Sequence, residues 1–299
     1  MAQPLRSLLL YLVPHHALSR LVGWVARCGS IPLRGILTRW FIHHYRVDMS
    51  EALESDPAAY PNFNSFFTRV LRPEARPIVH NSGQICCPND GVMSQLGNIH
   101  EEEVIQAKGR TYSLADLLGG SEVQAQPFFG GRFVTMYLSP GDYHRVHMPL
   151  SGRLIETTLI PGRLFSVSPG YTEAIPRLFT RNERVACIFQ TEAGPMAVVL
   201  VGAIFVGSIE TVWAGEVAPV RGRKSGVTSY FAGKNSIQLE VGEELGRFNM
   251  GGSTVIVVFG PGCVKWQTGL VAGVRVRLGQ ALGHVVAAGH VRATLAEPG

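Results

Sequence analysis

From about residue 76 onward, glycine and proline cut the chain into short apolar runs, and this texture limits the fold more than any other feature. The runs fall at 133–138, 154–160, 198–206 and 254–259. Each is strand-length and bounded by turn formers, so each reads as a β-strand, several covered on both faces. Residues 241–246 and 278–283 repeat one pattern, Val-Gly-Glu-Glu-Leu-Gly and Leu-Gly-Gln-Ala-Leu-Gly, read as strand, turn, strand. The pair suggests a pseudo-symmetric β sandwich of the kind seen in lipoyl-carrier-like domains. Neither turn has a lysine at its tip to take a lipoyl or biotin group.

The first 47 residues differ in kind. Leu5, Leu8, Leu9 and Leu12 fall at helical spacing, as do Leu18, Leu21, Val22 and Val25, and again Leu33, Ile36, Leu37, Trp40 and Phe41. Pro14 and the stretch 29–32 separate three short amphipathic helices. The segment holds six arginines and no acid, whereas the other 252 residues hold 21 basic and 22 acidic side chains (27 − 6 = 21), net −1. Apolar faces beside arginines suit an anionic membrane surface. Leu8, Leu12, Leu21, Val25, Ile36, Leu37 and Trp40 are the side chains expected to insert. Asp48 and Asn62 are expected to cap two further short helices.

The expected architecture is therefore α+β: a β-rich core with a pseudo-symmetric β sandwich, preceded by N-terminal amphipathic helices. Residues 1–60 form the membrane-associating helices and 61–299 the β-rich catalytic domain. Hydrophobic residues at 46% against 16% charged exclude a disordered chain. Five cysteines without a C-x-x-C pair argue against a disulfide framework or a zinc knuckle and fit a reducing compartment. No apolar run approaches the roughly 18 residues needed to cross a bilayer, and no signal peptide is evident. A peripheral protein on the cytoplasmic side of the cell membrane is expected, with no nucleic-acid partner.

Four places are able to carry chemistry. Asp90 lies in Pro88-Asn89-Asp90-Gly91, which alone reads as a turn. His144 and His147 lie three apart in the run 143–149; without further ligands nearby they read as acid and base or as structural histidines rather than a metal site. Gly251-Gly252-Ser253-Thr254 precedes an apolar strand, so Ser253 is either part of a bulge or a strained, uncrowded serine. Val255 excludes a G-x-S-x-G elbow. Finally, 66–69 (Phe-Phe-Thr-Arg) and 72–77 (Arg-Pro-Glu-Ala-Arg-Pro) read as a helix end and an extended linker.

Together, in this order, these motifs resemble the phosphatidylserine decarboxylases over nearly the whole chain; Pro161-Gly162 and 182–184 (Asn-Glu-Arg) fit as well. Many members of that family have leucine where this chain has Gly251, a change expected to loosen the loop. The resemblance implies that Asp90 orients His147, that His147 takes the hydroxyl proton of Ser253, and that Ser253 attacks the Gly252 carbonyl. Cleavage at Gly252–Ser253 would give a β chain, 1–252, and an α chain, 253–299. It implies a covalent pyruvoyl cofactor derived from Ser253 that forms a Schiff base with phosphatidylserine, releases CO2 and yields phosphatidylethanolamine, with His144 assisting decarboxylation or reprotonation. No metal is expected, and a homo-oligomer is admitted. A serine hydrolase using Asp90, His147 and Ser253 would instead keep one intact chain. A noncatalytic lipid-binding module would leave the coincidence of those three residues without a purpose.

Overall fold

The computed structural model describes residues 14–78, 82–206, 208–219, 225–230 and 236–286. Its centre is a nine-stranded antiparallel sheet. Across it run Gly226–Ser229, Gly152–Ile160, Arg184–Thr191, Gly194–Val201, Ser253–Phe259, Arg132–Leu138, Gly91–Asn98 and Arg275–Val276, with Gln238–Leu239 also paired to Gly152–Ile160. The Ser253–Phe259 strand is clamped between Arg132–Leu138 and Gly194–Val201. All seven of its residues are buried, five of them the β-branched Thr254, Val255, Ile256, Val257 and Val258. Such side chains lose little rotamer freedom in a pleated strand and pack well on both faces.

The expected strands are present, with one difference. The apolar run 198–206 is not all strand: pairing stops at Val201. Gly202 N–H then bonds Glu183 O at 2.9 Å, which leads the chain out of the sheet. Val206 stays buried and returns beside Gly251.

The repeated segments are realised as two matching turns. Gly242 and Gly279 have φ of 83° and 82°, and both lie against Ile78. After the first turn the chain passes into a four-stranded sheet: Gly215–Ala218, Ser208–Thr211, Glu244–Asn249 and Arg145–His147. After the second it passes into a three-stranded sheet: Gln84–Cys86, Ala281–Val285 and Val264–Trp266. The likeness is thus in the turns, each of which carries the chain from the large sheet into a small one.

Two of the three expected N-terminal helices are described, His15–Arg27 and Ile31–Tyr45; the first expected helix lies outside the described residues. Their inner faces are made of small, polar or aromatic groups. Ser19 Oγ accepts from Phe205 N at 3.1 Å, His16 Nε2 donates to Gly162 O at 2.9 Å, and Arg27 reaches Ser208 and Glu216. Phe41 joins Ala26, Tyr60, Phe63, Phe66 and Phe67 in an apolar cluster, with Leu37 and Met250 against it. The outer faces carry Leu21, Trp24, Leu33, Ile36 and Trp40, with Trp24 70% and Ile36 61% exposed. A helix lying on a water-facing surface has the reverse arrangement. Leu37, expected to insert, packs inward, and Arg34 donates to the Tyr60 carbonyl rather than pointing outward. Asn62 and Asp48 cap as expected, accepting from Ser65 N and Ser50 N at 2.9 Å. The five cysteines are all free thiols. Among the described residues no helix is long and apolar enough to cross a membrane.

Burial separates two kinds of apolar residue, and this is measurable. Ile256→Ala, deep in the central strand, should lower unfolding stability by about 2–5 kcal/mol. Trp24→Ala, on the outer helix face, should change it by less than about 0.5 kcal/mol. Urea unfolding midpoints of the two variants check this; equal losses would contradict the assigned faces.

Candidate active site

Ser253 is the first residue of the central strand and pairs with Leu138, the last of Arg132–Leu138. Before it, Met250 and Gly251 both have left-handed backbones, with φ of 73° and 77°. Gly251 is buried, and a Cβ there would stand 2.6 Å from Val206 N. The glycine that the sequence suggested would loosen this loop instead permits a close backbone approach. A turn in a rarely used conformation therefore feeds directly into the most buried strand.

The Ser253 side chain is wholly buried, and its Oγ has no hydrogen-bond partner among the described residues. An unsatisfied buried hydroxyl costs roughly 1–3 kcal/mol, and the neighbouring Thr254 hydroxyl is in the same condition. A Cβ on Gly252 would lie 3.2 Å from Leu138 O and 3.5 Å from the Tyr137 hydroxyl, so glycine leaves the carbonyl before Ser253 uncrowded.

His144 holds the chain just after Leu138, the strand partner of Ser253. Its Nε2–H donates to Ser139 O at 3.0 Å and Pro140 O at 3.3 Å, and its ring stacks on Phe67 at 4.2 Å. Since carbonyls only accept, Nε2 carries the proton and Nδ1 is the free lone pair, which has no partner. Complete burial pushes this imidazole down to about 4, so it is neutral at neutral pH.

Asp90 and His147 reach the same end of the fold by the two matching turns. His147 ends Arg145–His147, and its backbone N–H bonds Pro88 O at 2.8 Å, beside Asp90. Its Nδ1–H donates to Gly242 O at 2.8 Å in the first turn, so Nε2 accepts from the Tyr143 hydroxyl at 3.1 Å. Burial lowers its pKa as well. Asp90 Oδ1 accepts from Leu278 N at 2.8 Å in the second turn. Arg76 Nε bonds both Asp90 oxygens, at 2.9 and 3.0 Å, and Arg76 Nη2 bonds Oδ2.

The four expected side chains thus gather at one end of the large sheet. No hydrogen bond joins Asp90, His147 and Ser253 to one another. Asp90 is held by Arg76, and His147 is oriented by a backbone carbonyl rather than by Asp90. Arg76, Tyr143 and Gly242 were not assigned roles from sequence. Arg76 and Tyr143 sit inside the motifs already singled out, while the Gly242 carbonyl had no signal beyond the repeat.

Known proteins resemble this chain over most of its length. The family model described as phosphatidylserine decarboxylase matches residues 63–284, and one described as PSD matches residues 5–46. A phosphatidylserine decarboxylase proenzyme of Pseudomonas putida (strain GB-1) is 54% identical over 278 residues, 93% of this chain and 96% of that one. A protein of the same name from Ectopseudomonas mendocina (strain ymp) is 55% identical over 285 residues, 95% of this chain and 99% of its own.

The neutral His144 has a consequence for stability. The unfolded chain takes up this proton near the ordinary value of 6.5, and the folded chain only near 4. Between these values the fold binds fewer protons, so stability falls as pH drops through the window. His147 adds in the same direction. Unfolding at pH 5 should show about 1–3 kcal/mol less stability than at pH 7, and His144→Gln should shrink that difference. A difference unchanged in the variant would contradict a buried neutral imidazole.

Proposed function

The chain belongs to the phosphatidylserine decarboxylase family, and we propose that it activates itself by cutting its backbone between Gly252 and Ser253. The decarboxylase is made as a proenzyme, like its relatives. The observation that carries the cleavage site is the unpartnered, fully buried Ser253 hydroxyl next to an uncrowded glycine carbonyl.

Ser253 Oγ attacks the Gly252 carbonyl carbon and gives its proton to a histidine. The C–N bond breaks, an ester forms, and the proton passes to the released nitrogen. Loss of the Ser253 α-hydrogen then breaks the Cβ–Oγ bond and frees the Gly252 carboxylate. Water hydrolyses the resulting dehydroalanine end, ammonia leaves, and a pyruvoyl group caps the chain 253–299.

His147 is the base in this reading, with Asp90 stabilising its charged form, as in a serine protease acting on its own backbone. The bond from His147 Nδ1–H to Gly242 O leaves Nε2 as the basic nitrogen, which must exchange its contact with Tyr143 for the Ser253 hydroxyl. A second assignment rests on His144, whose Nε2–H bonds Ser139 and Pro140, next to the Leu138 that pairs with Ser253, and whose Nδ1 lone pair is free.

The residues around Ser253 fit a pyruvoyl end: among the described residues no side chain depends on the Ser253 hydroxyl for a hydrogen bond, and the neutral His144 imidazole bonds the adjoining residues 139 and 140. That group supplies an electron-poor carbonyl able to condense with the primary amine of the serine head group and to accept the electron pair left as CO2 departs. His144 then has the role of returning a proton to the reacting carbon. Its Nε2–H is fixed by two carbonyls, so proton traffic runs through Nδ1.

A two-chain lipid is best met at the membrane itself. The outward Leu21, Trp24, Ile36 and Trp40 would enter the interfacial layer, with Arg20 and Arg39 at the lipid phosphates on the cytoplasmic leaflet. Residues 1–60 would then be the membrane-associating part and 61–299 the catalytic part.

Two experiments test these assignments. On a denaturing gel, Ser253→Ala should run as one full-length chain without activity, and His147→Ala should cleave slowly or not at all. His144→Ala should cleave and then lose turnover by about 10²–10⁴-fold; a cleaved His147→Ala beside an uncut His144→Ala would reverse the roles. Separately, glutamate at Leu21, Trp24, Ile36 and Trp40 together should shift the protein off anionic liposomes in a flotation assay while self-cleavage persists. Unchanged flotation of that processed variant would show that other surfaces hold the membrane.

A further inference from the structure

Arg69 follows the Phe63–Phe67 helix, whose aromatic rings pack on Phe41 of the outer helices. The side chain is 5% exposed, yet Nε and Nη1 have no hydrogen-bond partner among the described residues. Its one close contact of note is the Phe66 ring, 5.4 Å from the guanidinium carbon. The carboxylates whose charges act on it, Asp90 and Glu51, are both bonded to Arg76. Burial lowers the Arg69 pKa, but a guanidinium keeps its proton in any protein interior. A buried guanidinium whose N–H donors are left unfilled is an expensive arrangement for a fold to hold. An anion arriving from outside would fill those donors.

The position of Arg69 says which anion. Its charge bears on His144, the ring that stacks on Phe67 two residues earlier. The same helix is tied to the chain leading to Ser253: Asn64 Nδ2 donates to Asn249 Oδ1 at 3.1 Å, and Met250 packs on the aromatic cluster. Arg69 therefore closes a helix that touches both the outer helices and the chain leading to Ser253. In phosphatidylserine the phosphodiester occupies the matching place, between the acyl chains and the amine that reacts.

We propose that Arg69 binds the phosphodiester anion of the lipid head group and so sets the distance from the membrane to the reacting centre. This rests on the decarboxylase reading. The substrate carboxylate is the less suitable occupant, because a guanidinium paired to it would stabilise the charge that must leave as CO2 and so slow the reaction. The phosphodiester keeps its charge throughout, and the planar guanidinium matches two of its oxygens.

The test compares phosphatidylserine with its methyl phosphotriester, which lacks that charge, in neutral detergent micelles. The processed wild-type enzyme should show a KM for the triester about 10- to 100-fold above that for phosphatidylserine. Arg69→Gln should bring the ratio of the two KM values close to one by raising that for phosphatidylserine, and Arg69→Lys should fall between. Equal KM values for the wild type overturn the proposal, and this arm stands even if the glutamine variant does not fold. A glutamine variant that keeps the wild-type ratio also overturns it. Absence of CO2 release from phosphatidylserine by the wild type would overturn the decarboxylase reading and the Arg69 role with it.

Discussion

Ser253 belongs to two incompatible settings at once. Its own strand is hydrogen-bonded into the middle of a nine-stranded sheet, while the two residues before Gly252 have left-handed backbones and Gly251 is pressed on the chain at 204–206. The peptide bond between Gly252 and Ser253 lies at the seam. The sheet fixes where the serine oxygen and the following chain sit, and the turn presents the glycine carbonyl without crowding. The outer helices, the two matching turns and the aromatic cluster all bear on the same end of the sheet.

The two turns give the repeat a function. Gly242 offers its carbonyl to His147, and Leu278, beside Gly279, offers its N–H to Asp90. Each turn fixes one of the two titratable groups by a backbone bond, which depends on shape and not on the identity of a side chain. Arg76 adds a charged clamp on Asp90 from the extended segment between helix and sheet. The resting arrangement thus gives Asp90 and His147 partners other than Ser253.

Much of this was legible in the sequence, for physical reasons. Strands such as Ser253–Phe259 announce themselves because burial on both faces demands an uninterrupted β-branched run. Asn62 and Asp48 announce helix starts because capping is local. The run 198–206 was overread because Gly202 breaks the pairing through a contact with Glu183, which no local pattern encodes. The bond from His147 to Gly242 joins residues 95 apart, and that from Leu278 to Asp90 residues 188 apart. Partners of this kind are set by topology, so periodicity could place the four site residues in motifs but not say what each touches. The same holds for the helices: spacing identified an apolar stripe, and only packing showed that Leu37 faces in while Ile36 and Trp40 face out.

The central claim is that Ser253 ends one chain as a new chemical group made from its own side chain. An intact-mass spectrum of the purified wild-type protein tests this most directly. The account predicts two species. One is the chain 1–252 with an ordinary carboxylate end. The other is the chain 253–299, lighter by one ammonia than the same peptide beginning with serine. A single full-length mass, or a 253–299 fragment carrying an unmodified serine, would contradict it.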